Sequence, residues 1–200
     1  MAMKIQFNKT FLQRIRKQLT MREKALPTLQ SKEAALRVEV KKAKDHANAI
    51  NKKLEEKKRE YETIVNLWAE FDPDLIEVKE VKFGNKKIAG VSTPVFEGVE
   101  FEVKPYSLFN NPGWFPDGIE ILKEMTRLAI ERDFFFRKMR ILDYARKKTT
   151  QKVNLYEKVQ IPEYRDAIRR ITRSLEDAEN LSKASQKIVK ARHERMEAEK

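Results

Sequence analysis

A hydrophobic repeat with spacings of three and four residues runs without a slip through the first third of this chain. Fifteen of its nineteen positions are apolar, counting Ala. The positions are Ile5, Asn8, Leu12, Ile15, Leu19, Arg22, Leu26, Leu29, Glu33, Leu36, Val40, Ala43, Ala47, Ile50, Leu54, Lys57, Tyr61, Ile64 and Trp68. This repeat keeps one stripe of a helix facing a partner and imposes a left-handed supercoil. A helix this long needs a second helix of matching length.

The second half of the chain supplies that partner in two frames, the second shifted by one residue. The first frame holds Ile121, Met125, Leu128, Phe135, Met139, Leu142, Val153 and Tyr156. The second holds Ile161, Tyr164, Ile168, Ile171, Leu175, Ala178, Val189 and Met196. The two halves therefore predict an antiparallel helical hairpin.

The segment between the helices has a different pattern. Residues 75–83 alternate apolar and charged side chains, and Gly84-Asn85 is typical of a turn. Residues 88–91 and 99–103 follow as two short β-rich runs. The segment predicts a small β-hairpin or meander, too short to form a catalytic domain with its own deep pocket.

These observations predict a mainly α fold, a long antiparallel two-helix coiled coil with a small β-hairpin segment between its helices. We expect an N-terminal shaft helix at 1–71, a middle segment at 72–117 and a C-terminal shaft helix at 118–200. Asp72-Pro73 ends the first helix, because a residue before proline is pushed out of the helical region. Residues 110–113 predict a turn, and Asp117 is the expected N-cap of the second helix.

Two prolines lie inside the helical patterns. Pro27 does not disturb the frame of the first helix, so we expect a bend and not a break there. Pro162 lies at the phase shift of the second helix. If the hairpin folds about 71 and 118, the two prolines face each other, and they could form one shared bend.

Composition indicates a basic helical protein without disulfide chemistry. The chain has 200 residues, a net charge of +12, five glycines and no cysteine. The positive excess lies in the two helical halves, since residues 72–117 carry more acidic than basic side chains. The N-terminus has no secretory pattern, and no apolar run reaches the ~20 residues of a membrane span. We therefore expect a soluble, intracellular protein without direct membrane insertion.

The sequence holds no pattern typical of an enzyme, a metal site or a cofactor site. His46 and His193 both stand among charged residues and are expected to be solvated, and no glycine-rich phosphate loop is present. The main electrostatic feature is the basic stretch, interrupted only by Asp143 and consisting of Arg137, Lys138, Arg140, Arg146, Lys147, Lys148 and Lys152. It is either a solvated helix face or a docking surface for acidic groups.

Three parts of the chain resemble the D subunits of V-type and A-type ATPases. They are residues 147–164, with a basic run, Val153-Asn154 and Ile161-Pro162; the opening at 8–19; and 88–94 in the middle. Departures at 155–156 and 21–30 indicate a divergent bacterial branch. The resemblance implies that Arg137, Arg140, Arg146, Lys147, Val153, Asn154, Ile161 and Pro162 contact partner subunits.

The resemblance also implies a function. The D subunits are non-catalytic central rotor shafts that transmit torque between a catalytic hexamer and an ion-translocating membrane sector. The expected partners are the nucleotide-binding hexamer of A and B subunits, the membrane-coupling C subunit, and the small central-stalk F subunit. The expected location is the cytoplasmic side of the inner membrane, as a peripheral part of the complex. No nucleic-acid partner is expected.

Other protein classes share some of these features. The γ shaft of F-type ATPases carries a larger domain between its paired helices, and an export-apparatus stalk protein typically lacks the β segment. A basic coiled-coil adaptor or nucleic-acid-binding protein is the main alternative, because it would account for the net charge of +12. It would not account for Ile161-Pro162 inside a continuing helix.

Overall fold

The fold is mostly helical, with one two-stranded antiparallel sheet. The structure is a computed structural model that describes residues 4–107, 109 and 111–198, and the side chains of all of these except 63–66, 73 and 198. The chain divides into two compact units. Unit 1 holds the described parts of Met1–Ser31 and Thr149–Lys200, and unit 2 is Lys32–Lys148. The predicted frame position Ile64 and turn residue Asn110 lie outside what the structure describes.

Helix α1, Lys9–Tyr61, confirms the frame predicted for the first half. It is described in full, and each of its buried apolar residues lies on that frame. These residues are Leu12, Ile15, Leu36, Ala43, Ala47, Ile50 and Leu54. Asn8 caps the helix, since its side-chain oxygen accepts a 2.7 Å hydrogen bond from the Phe11 amide. Pro27 lies inside the helix without ending it.

The end of α1 differs from the prediction. The α-helix stops at Tyr61, and the chain continues as a 3₁₀ helix, Glu62–Glu70. A second short 3₁₀ turn, Pro73–Leu75, follows, with the Asp72 side chain accepting from the Asp74 amide at 3.0 Å. The Asp72-Pro73 pair therefore follows the 3₁₀ segment and does not terminate the α-helix itself.

The middle of unit 2 is a β-hairpin of strands β1, Ile76–Ile88, and β2, Val91–Val103. The strands pair from Ile76 opposite Val103 to Ile88 opposite Val91. The turn is Ala89-Gly90, with φ of 48° and 76°, the left-handed pair that a two-residue hairpin requires. The prediction of a turn at Gly84-Asn85 was wrong, because both residues pair within β1, opposite Val95 and Pro94.

An aromatic core joins the base of the hairpin to the neighbouring helices of unit 2. Its buried residues are Phe71, Leu75, Phe115 and Ile119. Helix α2, Phe115–Asn154, begins beside this core. The prediction that Asp117 caps the helix was wrong, since Asp117 lies in the first turn and the Phe115 amide already donates to the Pro112 carbonyl at 3.1 Å.

Both sides of α2 are covered within unit 2. Phe135, on the predicted frame, stacks on His46 of α1 with ring centroids 5.2 Å apart. Phe134, which lies off that frame, is 5% exposed and packs on Phe83 and Phe96 of the hairpin, at 5.8 and 5.7 Å. The hairpin thus covers a face of α2 that heptad spacing alone would leave to solvent.

The helical run continues from α2 through a π-helical stretch, Leu155–Gln160, into α3, Ile161–Ala198. Ile161, Ala167 and Ile171 are buried, and Tyr164, Ile168 and Leu175 are half-buried, which confirms the second frame over this part. From Glu176 to Glu197 every side chain is exposed, so the predicted frame positions Ala178, Val189 and Met196 are not buried. Among the described residues, no part of α1 extends alongside Lys183–Glu197, because α1 begins at Lys9.

Candidate functional site

The eight predicted partner-contact residues all lie on the helical run from α2 to α3, but the structure does not gather them into one site. Arg137, Arg140, Arg146 and Lys147 belong to unit 2. Val153, Asn154, Ile161 and Pro162 belong to unit 1. Each group is therefore described by itself.

Arg137 and Arg140 are exposed on α2. Arg137 also lines a groove of about 530 Å³ between the hairpin and α2. The groove is mainly apolar, and its other lining residues are Val81, Phe83, Pro94, Ile130, Asp133, Phe134 and Ile141. Phe83 and Ile141 remain 55% and 41% exposed. A cation beside an open apolar groove is suited to a protein partner that offers both an apolar and an acidic group.

Arg146 and Lys147 are not independent cations, because both pair with Asp143 one turn earlier. Arg146 donates two hydrogen bonds to Asp143 Oδ1, at 2.9 and 2.7 Å, and Lys147 Nζ lies 3.1 Å from Oδ2. Hydrogen bonds from Arg146 and then Lys147 hold the pKa of the Asp143 carboxyl below its ordinary value. The pairing reduces the net charge that this turn presents to a partner.

Two other lysines of the basic stretch lie over aromatic rings. Lys138 Nζ is 5.8 Å from the Phe135 ring centroid, and Lys148 Nζ is 5.6 Å from that of Tyr144. The basic stretch is therefore a solvated helix face whose charges are partly engaged within the chain. Arg137, Arg140 and the exposed Lys147 are its most accessible charges for an acidic surface.

The second group borders the π-helical stretch. Val153 is half-buried and Asn154 exposed at the end of α2; Ile161 is 6% exposed at the start of α3, and Pro162 is exposed. Arg165 of α3 forms a 2.7 Å ion pair with Glu23 of α1. Because Pro162 and Pro27 lie three and four residues from this pair, both prolines are within about one or two turns of the same level. Their shared bend stays a prediction.

Sequence analysis missed the role of Arg22, the charged member of the apolar frame of α1. Its guanidinium lies 5.7 Å and 4.8 Å from the rings of Tyr156 and Tyr164, and its Nε donates to Gln160 at 2.6 Å. A charged residue in an otherwise apolar seam was the available signal. Its meaning depended on the residues opposite it, which the pattern does not identify.

The described residues show little that would support catalysis. His46 and His193 are exposed, and no group of three or more His, Cys, Asp or Glu side chains in this part of the chain could hold a metal ion. Among the described helices, none has an apolar stretch long enough to cross a bilayer. The surfaces described above are suited to protein contact.

Comparison with known proteins gives one consistent result. The sequence model of a family described as the ATP synthase D subunit, by that name, matches residues 11–191. The chain is similar to the Borreliella burgdorferi V-type ATP synthase D subunit, with 32% identity over 190 residues and 94% of each chain covered. It is also similar to the proteins of that name from Chlamydia felis, 27% identical over 86% of this chain and 88% of that protein, and Chlamydia caviae, 25% identical over 97% and 98%.

Proposed function

This chain belongs to the family of ATP synthase D subunits, and from this premise we propose that it is the central rotor shaft of a V-type or A-type ATPase. It transmits torque between ATP hydrolysis or synthesis in a nucleotide-binding hexamer and ion translocation in a membrane sector. The chain itself is non-catalytic. The family match over residues 11–191 is the observation that carries the proposal.

A shaft has to resist twisting, and pairing of α1 with the second helical run as an antiparallel coiled coil would supply that stiffness. The burial of α1 along a strict three-four frame supports this pairing. In unit 2, His46 stacks on Phe135, and Lys57 pairs with Glu124 at 2.7 Å. In unit 1, Arg165 pairs with Glu23. These contacts join α1 to the second helical run in each unit.

The uncovered end of α3 is the part proposed to enter the hexamer. Leu181, Ile188, Val189 and Met196 are between 54% and 72% exposed. At about 100° per residue, these four fall within an arc of about 100° on one side of the helix. An apolar stripe without a partner among the described residues is suited to contact a surrounding protein surface.

The basic stretch would face acidic surfaces of the same hexamer. Exposed charge pairs are individually weak and are screened by salt, at about 0–1 kcal/mol each. Weak contacts of this kind let a shaft be attracted by its housing without locking to one of several equivalent positions. Arg137 and Arg140 are the residues best placed for this role, since they are exposed.

The hairpin is the proposed contact for the small central-stalk F subunit, and the same end of the shaft would meet the membrane-coupling C subunit. Both strands of a two-stranded sheet have an unpaired edge that a partner can cover. The groove beside Phe83, Phe134 and Arg137 adds an apolar surface. This arrangement would place the protein on the cytoplasmic side of the inner membrane, as a peripheral part of the complex.

Co-purification tests the proposal. From cells that express the complex, the tagged full chain is expected to bring down a nucleotide-binding hexamer and a small second subunit. A chain ending at Ser182 is expected to lose the hexamer and keep the small subunit. A chain lacking 76–103 is expected to lose the small subunit. If the full chain recovers neither partner, or if the hairpin deletion keeps every partner, the assignment is wrong.

The alternative function, a basic adaptor or nucleic-acid-binding protein, rests on the net charge of +12. It predicts that nucleic acid co-purifies with the chain and that this binding falls steeply with salt. For the shaft, nucleic-acid binding is expected to be weak and independent of sequence.

A further inference from the structure

The one-residue phase shift in the second helical run has a physical form in the structure. The π-helical stretch Leu155–Gln160 lies between the two frames, and the Ile161 amide donates to the Tyr156 carbonyl five residues earlier. A π turn holds about one residue more than an α turn. The stretch therefore takes up a single excess residue and returns the apolar face to the same side. Pro162 follows at once, and it has no amide hydrogen to donate to the preceding turn.

Arg22 of α1 contacts this stretch and the first turn of α3 together. Its Nε donates to Gln160 Oε1 at 2.6 Å, and its guanidinium lies between the rings of Tyr156 and Tyr164. The Nη1 atom donates to the Gln18 carbonyl at 3.2 Å and also to the Gln18 side-chain oxygen. Arg22 is half-buried and oriented by its own helix while it contacts the opposite one. We define these contacts as the Arg22 clamp.

A guanidinium is well suited to hold a helix irregularity in place. Its plane stacks on aromatic rings while its edge donates hydrogen bonds in fixed directions, which a flexible apolar side chain cannot do. A single polar residue in an apolar seam fixes register at some cost in stability. Tyr156 lies inside the π stretch, Gln160 ends it and Tyr164 lies beyond it. The clamp therefore spans the irregularity.

We propose that Arg22 is a positioning residue that keeps the excess residue at Leu155–Gln160, and that this stretch is a torsional hinge of the helical run. Moving a π turn along a helix exchanges hydrogen bonds to the residue five back for bonds to the residue four back, so few are lost at any step. Each residue of displacement turns α3 by about 100° about its axis. The clamp is a property of the isolated chain, so its test does not depend on the proposed shaft function.

Hydrogen exchange on the full chain tests the clamp. Arg22→Leu places an apolar residue in the seam, so its melting temperature is expected to equal or exceed that of the parent. Amides of residues 157–164 are nevertheless expected to exchange about tenfold faster, because local opening is governed by local contacts. Arg16→Leu, which changes an exposed arginine of the same helix, is the matched control and is expected to leave this exchange unchanged.

Arg22→Lys separates charge from shape, since it keeps the positive charge and removes the planar group. It is expected to exchange as fast as Arg22→Leu. Parent-like protection of 157–164 in either Arg22 variant would overturn the clamp. Equal acceleration at all amides, together with a lower melting temperature, would also overturn it, because that result describes general destabilisation.

Single-residue deletions test the hinge itself. Removing Glu157, an exposed residue of the π stretch, is expected to convert the stretch to α-helix and restore one continuous three-four frame. Exchange at this position should then become insensitive to Arg22→Leu. Removing the exposed Arg170 takes one residue from α3 and puts part of the buried face out of phase, so its melting temperature should be clearly lower than that of the Glu157 deletion. Equal loss in the two deletions would show that the π stretch holds no excess residue.

Discussion

His46 of α1 stacks on Phe135 of α2 with ring planes 17° apart, while the adjacent Phe134 ring stands at 83° to Phe135 and faces the hairpin. Two consecutive residues of one helix thus fasten it to two different elements of unit 2. The heptad frame accounts for Phe135, and the hairpin accounts for Phe134. The two contacts differ in burial, and this difference can be measured.

Phe134→Ala is expected to destabilise the protein by about 3–5 kcal/mol, the usual cost of truncating a fully buried phenylalanine. Phe134 is 5% exposed and contacts rings from both strands. Phe135→Ala is expected to cost less, because Phe135 is only half-buried. Urea unfolding of the two variants measures the difference. An equal or larger loss for Phe135→Ala would mean that the stack on His46 matters more than hairpin packing.

The basic stretch is expected to matter for association more than for folding. Changing Arg137, Arg140, Arg146 and Lys147 together to Gln should leave helicity and melting nearly unchanged, because exposed ion pairs contribute about 0–1 kcal/mol each. Binding to the hexamer should weaken and depend less on salt, since fewer screened attractions remain. Circular dichroism and binding at several salt concentrations measure the two effects.

A variant with only Arg137 and Arg140 changed to Gln is the informative control for the previous experiment. These residues are exposed, whereas Arg146 and Lys147 pair with Asp143. Most of the change in salt dependence is therefore expected from this pair. If the fourfold variant unfolds, the residues are structural. Unchanged salt dependence would instead place the docking surface elsewhere, for example at 8–19 and 183–196.

Asp143 gives an expectation for acidic solution. Its pKa in the folded protein is below the ordinary value of 3.8, mainly because Arg146 donates hydrogen bonds to the carboxylate. The stabilisation is therefore present above the ordinary pKa and is lost as the pH falls through the lower pKa of the folded state. Carbon NMR of the Asp143 carboxyl should show titration below that of an unfolded control. Arg146→Gln should raise this pKa more than Lys147→Gln, and the reverse order would assign the main contact to Lys147.

The hairpin turn offers a stabilising substitution. Ala89 has a φ of 48°, in the left-handed region that a side chain disfavours and that Asn and Gly tolerate. Ala89→Asn creates the Asn-Gly pair preferred in such turns and is expected to stabilise the hairpin by about 0.5–1 kcal/mol. Gly90→Ala should destabilise it by a similar amount, since Gly90 has a φ of 76°. Exchange of the strand amides measures both effects, and a gain from Gly90→Ala would contradict the assigned turn.

Sequence patterns predicted the elements of this fold better than their boundaries. The α1 frame was confirmed because burial along one helix depends on spacing alone. The turn was misplaced because Gly84-Asn85 has strong local turn preference, while the pairing of two complete strands requires left-handed residues at Ala89-Gly90. That choice is made by cross-strand contacts, which local propensity does not contain.

The candidate site shows the same limit. The phase shift before Ile161 was visible in the sequence, but spacing does not distinguish a π stretch from a kink or a break. Asp143 was noted as an interruption of the basic stretch, yet its ion pairs with Arg146 and Lys147 depend on side-chain geometry. The chemistry of single contacts therefore had to come from the structure.

The exposed end of α3 affects the thermodynamics of assembly. Over Glu176–Glu197 the helix is supported by local ion pairs such as Glu179 with Lys183, at 2.8 Å, and by propensity, which contribute only tenths of a kcal/mol each. Helices without tertiary packing are marginal in water. Part of the favourable enthalpy of docking would therefore come from completing this helix, and the entropy lost in ordering it would lower the affinity. A shaft tip that is held less tightly than its contact area implies can be released by its housing at each step of rotation.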